Sequence, residues 1–275
     1  MIAGYDYLTL QWRTGGFWSR TRIVACALLI MGGILTGIGA GYYGYANNAR
    51  DGLAQLEAEA PAVEIAPVWS PNVNIEKPEP VSQPFIPEVS LYSGDAGEIP
   101  AGPEVDLPDG FALIDFSEDN PLMLVAPATR MTISSLDIDS NVVELSIADL
   151  GDRRAYETPI NTIGHIPETA DAGEQGAGWY FGHTESPILD EGKVFFNLQR
   201  VADELRVGND VDIITDNGVE QFLYRVTAAR VVHEDDLTLE SSGGPSIHLV
   251  SCVPRLVYDH RLIVDANLIA RKASS

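Results

Sequence analysis

Cysteine is nearly missing from this chain: its 275 residues hold two, Cys26 and Cys252. Basic side chains are also scarce, 17 Lys and Arg against 40 Asp and Glu, for a formal net charge of -23. A chain that acidic repels phosphate backbones, so nucleic acid is not expected as a partner. Residues 23–49 carry no charge of either sign. No internal repeat is evident, and no acidic run has the ligand spacing of an EF-hand calcium loop.

The uncharged run is what remains when charge is removed from a long apolar stretch. A bilayer core needs about 20 apolar residues in a helix. Residues 23–46 meet that length, are rich in glycine, and end at Tyr42, Tyr43 and Tyr45, where an interfacial aromatic belt belongs. A secretory signal has a shorter apolar region of roughly 7–15 residues, so the run reads as an uncleaved transmembrane anchor. Arg13, Arg20 and Arg22 stand against Asp6 on its N-terminal side, and Arg50 is alone on the other before acids take over. The positive-inside rule then puts residues 1–22 in the cytoplasm and the rest outside the cell membrane. Cys26 lies within the span and cannot partner Cys252. The external part therefore has one thiol left over in an oxidising setting, which is intermolecularly paired, reactive, or inert and buried.

Residues 47–128 read as an acidic spacer. Twelve of the 17 prolines lie between Pro61 and Pro127, a density that favours extended chain without a core. Its first part, DGLAQLEAEA, could prolong the membrane helix briefly. From Thr129 the texture changes. MTISSLDIDSNVVELSI has β-branched residues at strand spacing, with a break expected at Asp139-Ser140-Asn141. GWYFGH reads as a short aromatic strand ending in His183. KVFFNLQRVA has Val194, Leu198 and Val201 at helical spacing, with Phe195 widening the stripe. Residues 211–233 are two strand-like runs joined near Asn217-Gly218, a hairpin signal. SIHLVSC and HRLIVDANLIA complete a mostly-β barrel or sandwich over residues 129–275.

A thiol attacks as thiolate, and a nearby histidine or cation promotes that form. His248 shares a strand face with Cys252 but lies four residues away, roughly 13–14 Å along a strand. His165, in a Pro/Gly loop, and His233, in an acidic stretch, read as surface residues. His183 and His260 both remain open as partners on spacing alone. Arg255 follows Cys252 in the VPRLVYD loop. Arg261 enters the next strand and, if that strand starts beside Cys252, can point a guanidinium that stabilises charge on a carbonyl oxygen.

Taken together, these fragments resemble the sortases, membrane-anchored cysteine transpeptidases of bacterial surfaces. HLVSC is similar to the family's TLxTC strand, with His248 and Ser251 in place of its threonines. GWYFGH resembles the segment ending in the catalytic Gly-His, and HRLIV the strand carrying the catalytic Arg. KVFFNLQRVADELRVGNDVDI and MTISSLDIDSNVVELSI match two further segments in order. The resemblance covers residues 129–270 and implies a closed eight-stranded β-barrel with short helices. It implies Cys252 as nucleophile, His183 as proton donor and acceptor, and Arg261 as the group that stabilises the oxyanion or orients substrate. It implies cleavage of an LPXTG-like sorting signal on surface proteins or pilins, through a thioester, and transfer to an amine from a peptidoglycan precursor or a pilin lysine. The loop 234–246, with Gly243-Gly244, falls where sortases shape signal recognition. His183 is followed by TESP rather than Arg, which leaves the subclass open among D-, E- and F-like sortases. No cofactor is expected, although some sortases use calcium. The C-terminal LIARKASS lacks a hydrophobic tail, so the chain does not look like a sortase substrate itself. Two other readings compete. An L,D-transpeptidase would need Gly before the cysteine and Arg two after it, where this chain has Ser251 and Arg255. A non-enzymatic anchored β-domain, an adhesin or scaffold, would use Cys252 only for packing.

Overall fold

The computed structural model describes residues 15–61, 105–114, 125–149, 154–156, 159–187, 189–240 and 243–274. Eight strands form a closed barrel: β1 (Arg130–Ile133), β2 (Ile138–Glu144), β3 (Ile163–His165), β4 (Ala177–Phe181), β5 (Asp212–Asp216), β6 (Glu220–His233), β7 (Ser246–Val253) and β8 (His260–Ala273). Around the barrel the order is β6-β5-β1-β2-β3-β4-β7-β8, and β8 returns to β6. That last seam runs from Glu220 opposite Ala273 to His233 opposite His260 and includes two register shifts. Such bulges add the local twist that closure requires. β2 with β3 and β4 with β7 are the two parallel pairs.

Alternation along the strands sorts side chains into two layers. On β7, Ile247, Leu249 and Val253 join the barrel interior with Tyr180, Tyr224 and Val264. Val250 points the other way, into a smaller outer cluster with Leu145, Ile166, Trp179 and Ile263. Cys252 is two residues beyond Val250, so the same period of two puts its thiol on the outer face.

Several elements differ from the sequence reading in position. The break in the first hairpin comes at Ser134–Leu136, a 3-10 turn closed by Asp137 at φ 55. Asp139, Ser140 and Asn141 instead continue β2 as its less buried stretch between Ile138 and Val142. Polar residues on a solvated strand face look like a turn when read in isolation. The helical stripe at 193–202 is a 3-10 turn, Phe196–Arg200, running into α2 (Val201–Arg206), with Phe195, Leu198 and Val201 buried. At the expected hairpin, Gly218 has φ 85 and Asn217 Oδ1 accepts from the amides of Val219 and Glu220.

At the N-terminus, α1 (Gly15–Asp51) extends beyond the 23–46 run on both sides. Residues 22–56 are long and apolar enough to cross a membrane. The chain then packs on the barrel: Leu53 is buried, and Ala58 and Glu59 pair with Ala229 and Ala228 of β6. Ala112 and Leu113 pair with Arg271 and Ala270 of β8. The stretch called a spacer thus touches the barrel at both ends, and its residues 62–104 lie outside the described residues.

Candidate active site

The β7–β8 register fixes the first two groups. Cys252 stands directly opposite Arg261, so both side chains rise from the same outer face of an antiparallel pair. His183 arrives from the segment after β4. Gly182 makes this approach possible: a Cβ there would come within 2.5 Å of the Phe195 ring and 2.7 Å of the Val194 side chain. The Phe195 amide donates to the His183 carbonyl at 2.9 Å, fixing the backbone from its other side.

These three side chains line one cleft of about 350 Å³. Its remaining wall is largely apolar and includes Leu145, Ile166, Phe181 and Val250. His183 Nε2 is buried, has no hydrogen-bond partner among the described residues, and lies 3.7 Å from Glu191 Oε2. Arg261 is held by three acceptors. Its Nη1 donates to the carbonyls of Tyr258 at 2.7 Å and His260 at 3.0 Å, and its Nη2 to Glu234 Oε2 at 2.7 Å. Burial pushes the Cys252 thiol above its ordinary pKa, the Arg261 charge pulls it back, and Glu234 pushes it up again. The resting group is therefore a protonated thiol across the neutral range.

That balance gives a pH dependence with a definite sign. Alkylation of Cys252 by iodoacetamide, followed by mass spectrometry, is expected to rise at higher pH than for free cysteine. Arg261→Gln removes the attraction that lowers the thiol's pKa and moves the profile further up. Glu234→Gln removes the repulsion that raises it and moves the profile down.

Thr184 is a positioning group that the sequence reading passed over. It is buried, its Oγ1 donates to the Cys252 carbonyl at 2.6 Å, and it contacts the Ser251 hydroxyl closely. The residue after His183 is thereby bolted to the residue before Cys252 and to Cys252 itself. Each such bond is worth about 1 kcal/mol net, and more where a buried partner would be left unmet. Glu185 adds a second bolt, accepting from Arg255 at 2.7 Å and from the Tyr258 hydroxyl at 2.9 Å. Both residues stand in the TESP stretch, which departs from the family's usual Arg and carries no sequence signal of this tethering role.

The other histidines lie elsewhere. His260 pairs with Asp259 at 2.8 Å and meets His233 edge-on. His233 stays partly exposed beside Asp235. His248 Nδ1 donates to the Asp265 carboxylate at 2.6 Å, and its ring stacks on Trp179. His165 is a correction: it is buried in β3, not on a surface loop, with Nδ1 2.9 Å from Glu144 and Nε2 3.1 Å from the Ala170 carbonyl. Pro167 and the glycines around it hid a short strand. Arg255 lies over the Phe196 ring at 5.2 Å and pairs with Glu185.

Among the described residues, Glu144, His165 and Asp171 have ligand atoms within 4.8 Å of one another. Calcium takes roughly six to eight oxygens. Two carboxylates around an imidazole already bonded to one of them do not supply such a shell, so this group does not fit calcium.

A closed β-barrel with a thiol, an imidazole and a guanidinium in one external cleft defines a site equipped for nucleophilic acyl chemistry. The sortase-domain family profile matches residues 131–269. The chain belongs to the sortase family, which are cysteine transpeptidases. No curated protein matches it. Among solved structures, sortase A of Listeria monocytogenes is 14% identical, with 55% of this chain and 92% of that one covered and a TM-score of 0.41. Sortase E of Streptomyces avermitilis is 19% identical, covering 54% of this chain and 91% of that one at a TM-score of 0.39. Sortase C-1 of Actinomyces oris is 20% identical, covering 53% and 76% at 0.41. Membership decides between the rival sequence readings: the chain is neither an L,D-transpeptidase nor a β-domain outside the enzyme families.

Proposed function

We propose that Cys252, His183 and Arg261 carry out the transpeptidation, with an LPXTG-like sorting signal as acyl donor. Cys252 Sγ attacks a peptide carbonyl in the signal. Arg261 steadies the tetrahedral oxygen, and His183 protonates the departing amine as the carbon–nitrogen bond breaks. The product is a thioester on Cys252. An incoming amine, from a peptidoglycan precursor or a pilin lysine, loses its proton to His183 and displaces the thiol. The observation that carries the reading is the shared cleft, with Cys252 and Arg261 in register and His183 delivered by Gly182.

Charge enters each step where it helps. The thiol is protonated at rest, so His183 must take that proton as Cys252 attacks, and it then holds it for the leaving amine. Arg261 is already aligned by two backbone carbonyls, so little reorganisation precedes its contact with the developing oxyanion. The apolar wall suits the aliphatic side chains of a sorting signal and keeps water away from the thioester while an amine arrives. On this reading α1 is an uncleaved single-pass anchor in the cell membrane, with residues 1–22 cytoplasmic and the barrel outside.

Incubation with a library of sorting-signal peptides tests the proposal. A thioester at Cys252, detected by mass spectrometry, is expected for one signal class. Cleavage of such peptides without any adduct on Cys252 would refute the mechanism.

A further inference from the structure

The apolar helix does not leave the barrel as a free tether. The Tyr42 hydroxyl donates to the Leu256 carbonyl at 3.3 Å, and the Tyr45 hydroxyl to the Arg255 carbonyl at 3.0 Å. Arg50 pairs with Asp259 at 2.7 Å. Ala46, between these contacts, is 3% exposed. Beyond the helix, Arg206 donates to the backbone carbonyls of Gln55 and Glu57, and the chain then pairs with β6. Among the described residues, the hydrogen bonds of Tyr42 and Tyr45 and the ion pair of Arg50 fall on Leu256, Arg255 and Asp259, in the loop 254–259 that joins β7 to β8. That loop separates Cys252 from Arg261, and its Tyr258 carbonyl holds the Arg261 guanidinium.

Helix length gives the level at which this happens. About 20 residues at 1.5 Å each cross a hydrocarbon core. Counted from Ile23, the first uncharged residue after Arg22, that distance ends near Tyr42. Tyr42, Tyr43 and Tyr45 then sit among the lipid headgroups, where tyrosine is favoured, and whatever they touch lies there too.

Tyr42 touches Leu256 at its carbonyl, and Tyr45 the carbonyl of Arg255 beside it. Leu256 is the apolar residue so placed. It holds φ 64, a left-handed conformation that costs a residue with a Cβ about 1–2 kcal/mol. It is also 52% exposed. In water a leucine is a poor choice on both counts, since glycine or asparagine would serve the turn better. At a lipid surface its exposed apolar area is buried instead. Phe196, also partly exposed, lies under Arg255, so the residue before the leucine is a cation resting on an aromatic ring. Apolar groups beside a guanidinium suit the boundary between acyl chains and headgroups.

We propose that the 254–259 loop is a bilayer-contacting surface. The end of α1 clamps the loop at headgroup level, Leu256 inserts, and the cleft opens directly onto the lipid surface. The inference rests on reading α1 as an uncleaved anchor.

The test uses the full chain with Cys26→Ser and Cys252→Ala, so that one introduced cysteine carries an environment-sensitive fluorophore. Leu256→Cys reports the loop. Val219→Cys reports the β5–β6 turn, at the far end of β6 from His233 and its neighbour His260. The proteins are placed in phosphatidylcholine and phosphatidylglycerol vesicles containing lipid spin-labelled at the headgroup, and flotation measures membrane association. The label at 256 is expected to be quenched about twofold or more and the label at 219 little, as interfacial depth requires. Arg50→Asp should release the loop and remove most of that quenching, and adding Asp259→Arg should restore it. Equal quenching at 256 and 219 in floating protein, or quenching at 256 indifferent to Arg50→Asp, would overturn the contact while leaving the anchor standing. Protein that fails to float would overturn the anchor reading and the contact together. Neither result depends on the transpeptidation reading, which peptide turnover by the unmodified chain tests separately.

Discussion

Cys252→Ala is expected to abolish acyl transfer, with turnover of any accepted signal peptide falling at least about 10³-fold, as loss of a covalent nucleophile does. The barrel should survive the change. The thiol faces the outer cleft and takes no part in the buried interior, so thermal unfolding should shift little. Circular dichroism with a peptide-cleavage assay separates the two effects. A variant that folds and still cleaves would return Cys252 to the role of a packing residue.

The second large effect is expected at the two polar partners. His183→Ala should lower kcat about 10²–10⁴-fold, the usual range for a general acid–base group. Arg261→Ala should cost about 10²–10³-fold, the range seen when an oxyanion donor is lost. Arg261→Lys should recover little, because one ammonium cannot reach the Tyr258 and His260 carbonyls and Glu234 in the same fork while still facing the cleft. His260→Ala serves as the comparison. Its imidazole pairs with Asp259 and does not line the cleft, so the loss should be far smaller. Steady-state kinetics on one peptide ranks all four variants.

What the sequence revealed of this architecture follows from the range of each interaction. Strand periodicity is local, so β4, β5, β7 and β8 were readable from runs such as GWYF and HRLIV. The Asn217-Gly218 turn was equally readable, because its chemistry is confined to four residues. The three-residue strand around Gly164 was not, since periodicity needs more residues than that to register. Its partner strands supply the hydrogen bonds that hold it, and those come from Val142–Glu144 and from Phe181 and Tyr180.

The site divides in the same way. Spacing alone left His183 and His260 level, because the distance between β4 and β7 is a property of the closed barrel. Resemblance to a family's ordered motifs, not periodicity, favoured His183. Thr184, Glu185 and Glu234 escaped notice because their partners lie 27 to 73 residues away. The contact of Tyr45 with Arg255 spans 210 positions, and no pattern in either segment announces it.

Intact mass spectrometry of the full chain after brief exposure to a cleavable sorting peptide tests the central claim most directly. The account expects an adduct equal to the acyl portion of the peptide, located on Cys252, released by hydroxylamine and shortened in lifetime by an added amine. Peptide cleavage with residue 252 unmodified at every time point, or an adduct of the same mass on Cys252→Ala protein, would contradict it.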